Sequence, residues 1–253
     1  WVIMIVPRLK GGLGNQLFQI AAAYSHALEV GDDFAINYNL PHYLGQGKQC
    51  TTYKDTVFSK IKSTDITPSS YYSEKDFTYN KIPQQKNLLL DGYFQSEKYF
   101  KNYENEIKEL FNFSFIKVKK KYSTINNKVV LHVRRGDYLE NSNTHPSIPL
   151  EYYKSCLEEL DIKDPTILIV TDDINTVSKD FNELDYVHVN GQNELEDFCY
   201  IMNADYIIGC NSTFSWWAAY LSNSKKSIFP KKWFGPEGPP DSSDIYPTKF
   251  IIK

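Results

Sequence analysis

The sequence predicts an α/β protein built as two Rossmann-like halves, and three observations predict it. Residues 2–37 read as strand, glycine-rich loop, helix and strand; residues 129–229 repeat strand and helix; and a polar, basic stretch over residues 113–128 separates the two. At 253 residues and about 150 residues per domain the chain holds one or two domains, and the halves divide as 1–120 and 121–253.

Residues 2–6 form a continuous apolar run bounded by Pro7, the pattern of a buried parallel strand. The loop Gly11-Gly12-Leu13-Gly14-Asn15-Gln16 follows. Leu17, Ile20, Ala21, Tyr24 and Leu28 then share one face of a helix that Gly31 ends. Residues 34–37 resemble a second strand. Residues 38–86, rich in Tyr, Ser, Thr, Gln and Lys without a sustained period, predict irregular structure with short elements. Residues 88–90 read as a strand and 96–111 as an amphipathic helix. In the second half, strands are expected at 129–133, 167–170, 186–189, 206–208 and 227–229. A helix starts after Pro149, with Leu150, Tyr153, Leu157 and Leu160 on one face. Asn193 with Glu196 makes a capping-box-like start for another, and Phe214, Trp217, Ala218 and Leu221 mark a third.

Composition narrows the function classes. Apolar residues at 42% and charged residues at 23% describe a folded chain. A formal charge of −3, from 28 Lys+Arg against 31 Asp+Glu, argues against nucleic acid or an anionic membrane held by bulk charge. Nineteen Tyr against two Met fit a Tyr-rich core, an interface or a sugar-binding surface. Cys50, Cys156, Cys199 and Cys210 show no CxxC spacing and read as reduced core residues, so no structural metal is expected. The apolar runs are of strand length, short of a bilayer span. Residues 1–6 are too short for a signal peptide, and the Trp1 start points to a trimmed chain.

Three strand ends carry unusual residues. After strand 129–133 come Arg134, Arg135, Gly136 and Asp137, and two arginines at a strand mouth make a clamp for a diphosphate; the alternative is a surface Arg–Asp pair. After strand 206–208 the run Asn211-Ser212-Thr213-Phe214-Ser215 enters a helix whose N-terminus can be capped by Ser or Thr and can also receive an anion. Asp172 and Asp173 end strand 167–170, where they can accept from ribose or base, bind a cation, or cap the next helix. No phosphate-loop motif and no Asp-x-Asp triplet occurs, so fixed cationic side chains rather than a metal are expected to neutralise a leaving diphosphate.

Gly12-Leu13-Gly14-Asn15-Gln16-Leu17-Phe18-Gln19, Asp91-Gly92-Tyr93-Phe94-Gln95-Ser96, His132-Val133-Arg134-Arg135-Gly136-Asp137-Tyr138 and Asn211-Ser212-Thr213-Phe214-Ser215-Trp216-Trp217, with Pro230-Lys231-Lys232-Trp233, resemble the motifs of the α-1,2-fucosyltransferase family (glycosyltransferase family 11), in its order and over nearly the whole chain. The resemblance implies a GT-B type enzyme: two Rossmann-like domains with a cleft between them, the first on the acceptor side and the second binding the GDP-sugar. It implies inverting transfer of L-fucose from GDP-β-L-fucose to a glycan hydroxyl, O2 of a terminal galactose, without metal or other cofactor. Carried over, Arg134 is the principal diphosphate ligand, Arg135 supports the loop or the donor, and His132 lies against the nucleotide. Asn211, Ser212, Thr213, Phe214 and Ser215 surround the β-phosphate and fucose. Asp172 and Asp173 occupy a ribose or guanine position. Gly14, Asn15 and Gln16 face the donor sugar or acceptor, or form a tight turn whose Asn caps the helix. Asp137 is the candidate general base, with a salt bridge to the arginines as its other role.

Two competing readings stand beside this one: transfer from another GDP-sugar, GDP-rhamnose or GDP-mannose, and a non-catalytic carbohydrate- or nucleotide-binding protein. Sequons occur at Asn112 and Asn211, and a glycan on the second would block the expected site. That favours a cytoplasmic protein; an N-terminal anchor removed upstream would place it in the Golgi lumen instead.

Overall fold

The apolar opening run forms its strand: β1, Met4–Pro7, is buried along its whole length. A computed structural model describes residues 3–41, 47–114, 116–189 and 191–253, without the side chains of residues 120, 123 and 140. Residue 2 of the predicted opening strand, 42–46 of the predicted irregular region and 115 of the predicted separating stretch lie outside the described residues. Contacts divide the chain into two units, Trp1–Phe115 with Asp241–Pro247, and Ile116–Pro240 with Thr248–Lys253. This differs from a single division after residue 120 chiefly in that Asp241–Pro247 packs with the first unit, where Asp244 accepts from the Tyr79 amide at 2.7 Å and pairs with Lys98.

In the first unit, β1 leads through the glycine loop into α1, Leu13–Val30. Leu17, Phe18 and Ile20 of α1 are fully buried, each contributing about 1.5–3 kcal/mol. Gly31 ends the helix at φ 62°, its amide donating to Ala27 and Leu28 carbonyls, as its position predicts. β2 is only Asp33–Phe34, with Ile36 forming an isolated bridge to Ser63. The region without period contains a 3-10 turn at Cys50–Tyr53 and a strand, β3, Ser70–Ser73. β4 is Leu88–Asp91. The helix expected at 96–111 is instead two 3-10 turns, Glu97–Tyr99 and Lys101–Tyr103, followed by α2, Glu104–Leu110. The four strands are parallel in the order β2-β1-β4-β3.

In the second unit a short α3, Lys120–Ser123, precedes β5, Lys128–Val133. There follow α4, Gly136–Glu140; α5, Leu150–Leu160; β6, Thr166–Thr171; α6, Ile174–Asp180; β7, Val187–His188; α7, Glu194–Met202; β8, Tyr206–Ile208; α8, Thr213–Leu221; β9, Lys226–Phe229; and β10, Ile251–Ile252. The expected capping-box-like start is present, with Asn193 accepting from the Leu195 and Glu196 amides, though Glu196 accepts from the Gln192 amide, one residue before the N-cap. The sheet is parallel in the order β10-β9-β8-β5-β6-β7. Its core clusters Val129, Leu131, Ile169, Tyr153, Phe181 and Ile208. All four cysteines are buried and free. No helix among the described residues is long and apolar enough to cross a membrane.

Candidate functional site

Strand order alone marks where the second unit can hold a ligand. From β5 the chain proceeds to β6 and β7 on one side, then returns to β8, β9 and β10 on the other. Between the carboxyl ends of β5 and β8 the connections diverge, and ligands of open parallel sheets bind in that crevice. Residues 134–137 leave β5 there, and residues 209–213 leave β8.

Arg134 is 31% exposed and lies between two carboxylates. Its Nη2 and Nε donate to Asp137 Oδ1 at 2.7 and 3.1 Å, and Nε lies 3.1 Å from Asp172 Oδ2. Burial alone would lower its pKa, but Asp172 and Asp137 outweigh that and raise it. The guanidinium also sits 5.5 Å from the Tyr138 ring centroid. It is thus a fixed, permanently charged group whose orientation is set before a ligand arrives. Asp137, the candidate base, is the ion-pair partner of Arg134 through Oδ1, while its Oδ2 is buried without a hydrogen-bond partner among the described residues.

Arg135 corrects the expected two-arginine clamp. Only 3% exposed, it donates from Nε to Asp180 at 2.9 Å and from Nη1 to the Arg134 carbonyl at 3.0 Å, and packs over Phe181. It holds the loop and does not face the crevice. Asp172 accepts from the Arg135 amide at 2.9 Å through its other oxygen, so its carboxylate braces the arginine loop. Asp173 caps α6, accepting from the Thr176 amide and hydroxyl. Of the roles the sequence left open for it, the cap is the one observed.

His132 lies beneath the crevice, buried, with Nδ1 3.3 Å from Cys210 Sγ and its ring 5.6 Å from Phe214. Burial, aided by the Arg134 charge, pushes its pKa down to about 3, so it is neutral at working pH. The His132 expected among the catalytic residues is thus a covered, neutral side chain packed on Cys210 and Phe214.

Ser212 caps α8, its hydroxyl accepting from the Phe214 amide at 3.3 Å, and the buried Ser215 hydroxyl donates to the Ser212 carbonyl. Thr213 and Phe214 are half-buried at the helix start. The first turn of α8 therefore presents its dipole toward the same strand mouths as Arg134. Asn211 donates from Nδ2 to the Pro146 and Trp233 carbonyls, at 3.0 and 2.9 Å, and its Oδ1 is buried without a partner among the described residues. Both amide protons being spent, the Asn211 sequon is not a glycan site in this fold.

Three residues that no periodicity singled out complete the second-unit site. Tyr138 donates to the Asn211 carbonyl at 2.9 Å and ties the two strand-end loops together. His145 stacks on Tyr138 at 5.2 Å and lies 5.6 Å from Phe234. Ser147 Oγ and His145 Nδ1 are buried without partners among the described residues, and such atoms call for a ligand or water. Among the described residues no three His, Cys, Asp or Glu side chains gather as a metal site.

The glycine loop belongs to the first unit. Gly14 is buried in α1, and Gln16 is 0% exposed, its Nε2 donating to the Gly11 and Lys48 carbonyls at 2.9 and 2.8 Å. Gln16 thus braces the loop from within, and Asn15 accepts from Gln95 instead of capping α1, whose N-cap Gly12 has no side-chain cap. The loop is braced because Gly11, at φ 74°, lies so close to Asn15 that a Cβ would come within 2.4 Å of Nδ2.

An α-1,2-colitosyltransferase of Escherichia coli is 26% identical over 98% of both chains. The O-antigen biosynthesis glycosyltransferase WbnK of Escherichia coli is 27% identical over 89% of this chain and 93% of its own. The fucosyltransferase NodZ from Bradyrhizobium, 14% identical, aligns over 87% of this chain and 92% of its own with a TM-score of 0.56, and a NodZ crystal containing GDP aligns equally well. The likeness to NodZ carries the fold, two parallel α/β units of the GT-B type. The model of glycosyl transferase family 11 matches residues 8–234, spanning both units and every motif described above, and the chain is a glycosyltransferase belonging to that family.

Proposed function

We propose that the protein transfers L-fucose from GDP-β-L-fucose to O2 of a terminal galactose, inverting the anomeric centre and using no metal. The observation that carries this is Arg134, held charged between Asp137 and Asp172 at the switch point beside the start of α8. As the acceptor hydroxyl oxygen attacks the anomeric carbon, the bond to GDP breaks, negative charge grows on the diphosphate, and the hydroxyl proton passes to Asp137 through Oδ2, the oxygen that Arg134 leaves unpaired. Arg134 and the first-turn amides of α8 are already aimed where that charge develops, so stabilising it costs no reorganisation. Asp137 and Asp172 position the guanidinium, Arg135 and Asp173 hold the loops behind them, and Thr213 and Phe214 border the donor.

GDP in the NodZ crystal supports a guanosine diphosphate donor. The colitosyltransferase supports a second reading, in which the transferred sugar is colitose. Assay with GDP-fucose, GDP-colitose, GDP-mannose and GDP-rhamnose, with the linkage of the product read by NMR, separates the readings. Fucose in α-1,2 linkage is expected, and turnover from another donor with none from GDP-fucose overturns the proposal. Arg134→Ala is expected to lower kcat by about 10²–10³.

A further inference from the structure

The first unit has its own switch point, and the residues around it form a second built site. From β1 the chain proceeds to β2 on one side and returns through β3 and β4 on the other, so the β1 and β4 carboxyl ends flank a crevice. Arg8 and Lys10 leave β1 there, Asp91 ends β4, and Tyr71 reaches across from β3. Asp91 accepts from Lys10 Nζ at 2.8 Å and from the Tyr71 hydroxyl at 2.9 Å, and Arg8 Nη1 lies 3.4 Å away. Lys10 Nζ sits 4.9 Å from the Tyr93 ring centroid, and Phe77 stacks on Tyr93.

The loop after β4 is shaped to hold this cluster. Glu74 accepts from the Tyr93 and Phe94 amides, at 2.6 and 3.0 Å. Phe94 takes φ 51°, and a Cβ on Gly92 would lie 2.4 Å from Glu74 Cβ. The Asp-Gly-Tyr-Phe run is therefore a tight turn wrapped around the Glu74 carboxylate.

The chemistry of the cluster selects its ligand. Two cations and two carboxylates leave no net charge, so a free anion meets Asp91 and Glu74 and a free cation meets Arg8 and Lys10. Arg8 Nε is buried without a partner among the described residues, and Lys10 and Asp91 have hydrogen-bonding capacity beyond the bonds named. A mixed set of donors and acceptors fits hydroxyl groups, which do both. Tyr71 is 55% exposed with the Arg8 guanidinium 5.9 Å from its centroid, a shelf for an apolar ring face. We propose that Arg8, Lys10, Tyr71 and Asp91 form the subsite that seats a neutral hexose ring of the acceptor, its apolar face on Tyr71 and its hydroxyls on Asp91, Lys10 and Arg8. Burial would raise the Asp91 pKa, but the bonds from Lys10 and Tyr71 and the charges of Lys10 and Arg8 overcome it and hold the carboxyl below its usual range. Asp91 thus orients a hydroxyl and does not take its proton.

This rests on the glycosyltransferase reading, so the test separates acceptor from donor. Saturation-transfer NMR with free lactose reads the subsite without turnover, and calorimetry with GDP reads the donor side. The parent protein is expected to bind lactose, Asp91→Asn and Tyr71→Ala to weaken it by about tenfold or more, Tyr71→Phe to retain part of it, and GDP affinity to stay at the parent value in all three. No lactose signal from the parent, or variants that bind lactose like the parent, overturns the proposal. Should Asp91→Asn fail to fold, Tyr71→Ala carries the test, its ring being largely in solvent.

Discussion

Arg134 and Arg135 are neighbours in sequence and differ completely in fate. One faces the mouth of the parallel sheet between two carboxylates, and the other is buried against Asp180 and Phe181. Successive residues of an extended chain point to opposite sides, so a pair of arginines leaving a strand offers one group to each side. His132, two residues before Arg134, is covered by Cys210 and Phe214. With a folded pKa near 3 against 6.5 unfolded, its contribution to stability is present above about pH 6.5 and lost as pH falls from 6.5 toward 3, at up to about 1.4 kcal/mol per pH unit for one proton. The imidazole resonances of His132 are expected to show no titration between pH 8 and 5; a midpoint above 5 contradicts its burial as a neutral group.

At the level of elements, the buried parallel strands were legible because a strand covered on both faces is a continuous apolar run. β3 was not, since Ser70–Ser73 is a half-exposed edge strand without an apolar run. The helix expected at 96–111 breaks where Phe100 takes ψ 4° between two 3-10 turns, a conformation that amphipathic spacing does not encode. Glycines in the motifs carry packing demands. A Cβ on Gly136 would lie 2.5 Å from Asp172 Oδ2, which is pinned by Arg134. Gly136→Ala is therefore expected to cost about 1–3 kcal/mol and to lower kcat by displacing the carboxylate that aims Arg134. Gly31→Ala, strained at φ 62° but with only the flexible Lys86 Nζ near the added Cβ, at 4.0 Å, is expected to cost about 1 kcal/mol and leave kcat at the parent value. Thermal melts with initial rates distinguish the two, and equal rates in both variants refute the link between Gly136 and Arg134.

Over the whole molecule, the aromatic excess is largely core. Trp216 stacks on Tyr220 at 4.8 Å, Phe229 on Phe250 at 4.5 Å, and Tyr53, Tyr153 and Phe198 are fully buried. Tyr71, 55% exposed, is the ring on which the proposed hexose subsite rests. The near-neutral total charge fits a protein that catches anions with a few placed groups and not with a basic surface. If those groups alone neutralise the leaving diphosphate, initial rates with and without EDTA are expected to agree, and a loss restored by Mg²⁺ or Mn²⁺ excludes the fixed-charge mechanism.

By itself the sequence determined the α/β class, the order of the motifs and the family they belong to, because buried parallel strands and glycine turns write local signals that need no partner to be read. Which motif residues face a crevice, and which hold it from behind, was decided only by tertiary structure. Asp172 meets Arg134, and Arg8, Tyr71 and Asp91 meet one another, across spans of 20 to 83 residues in which no periodicity links them. Hydrogen bonds and charge pairs between strand ends form only once the sheet has brought those ends together.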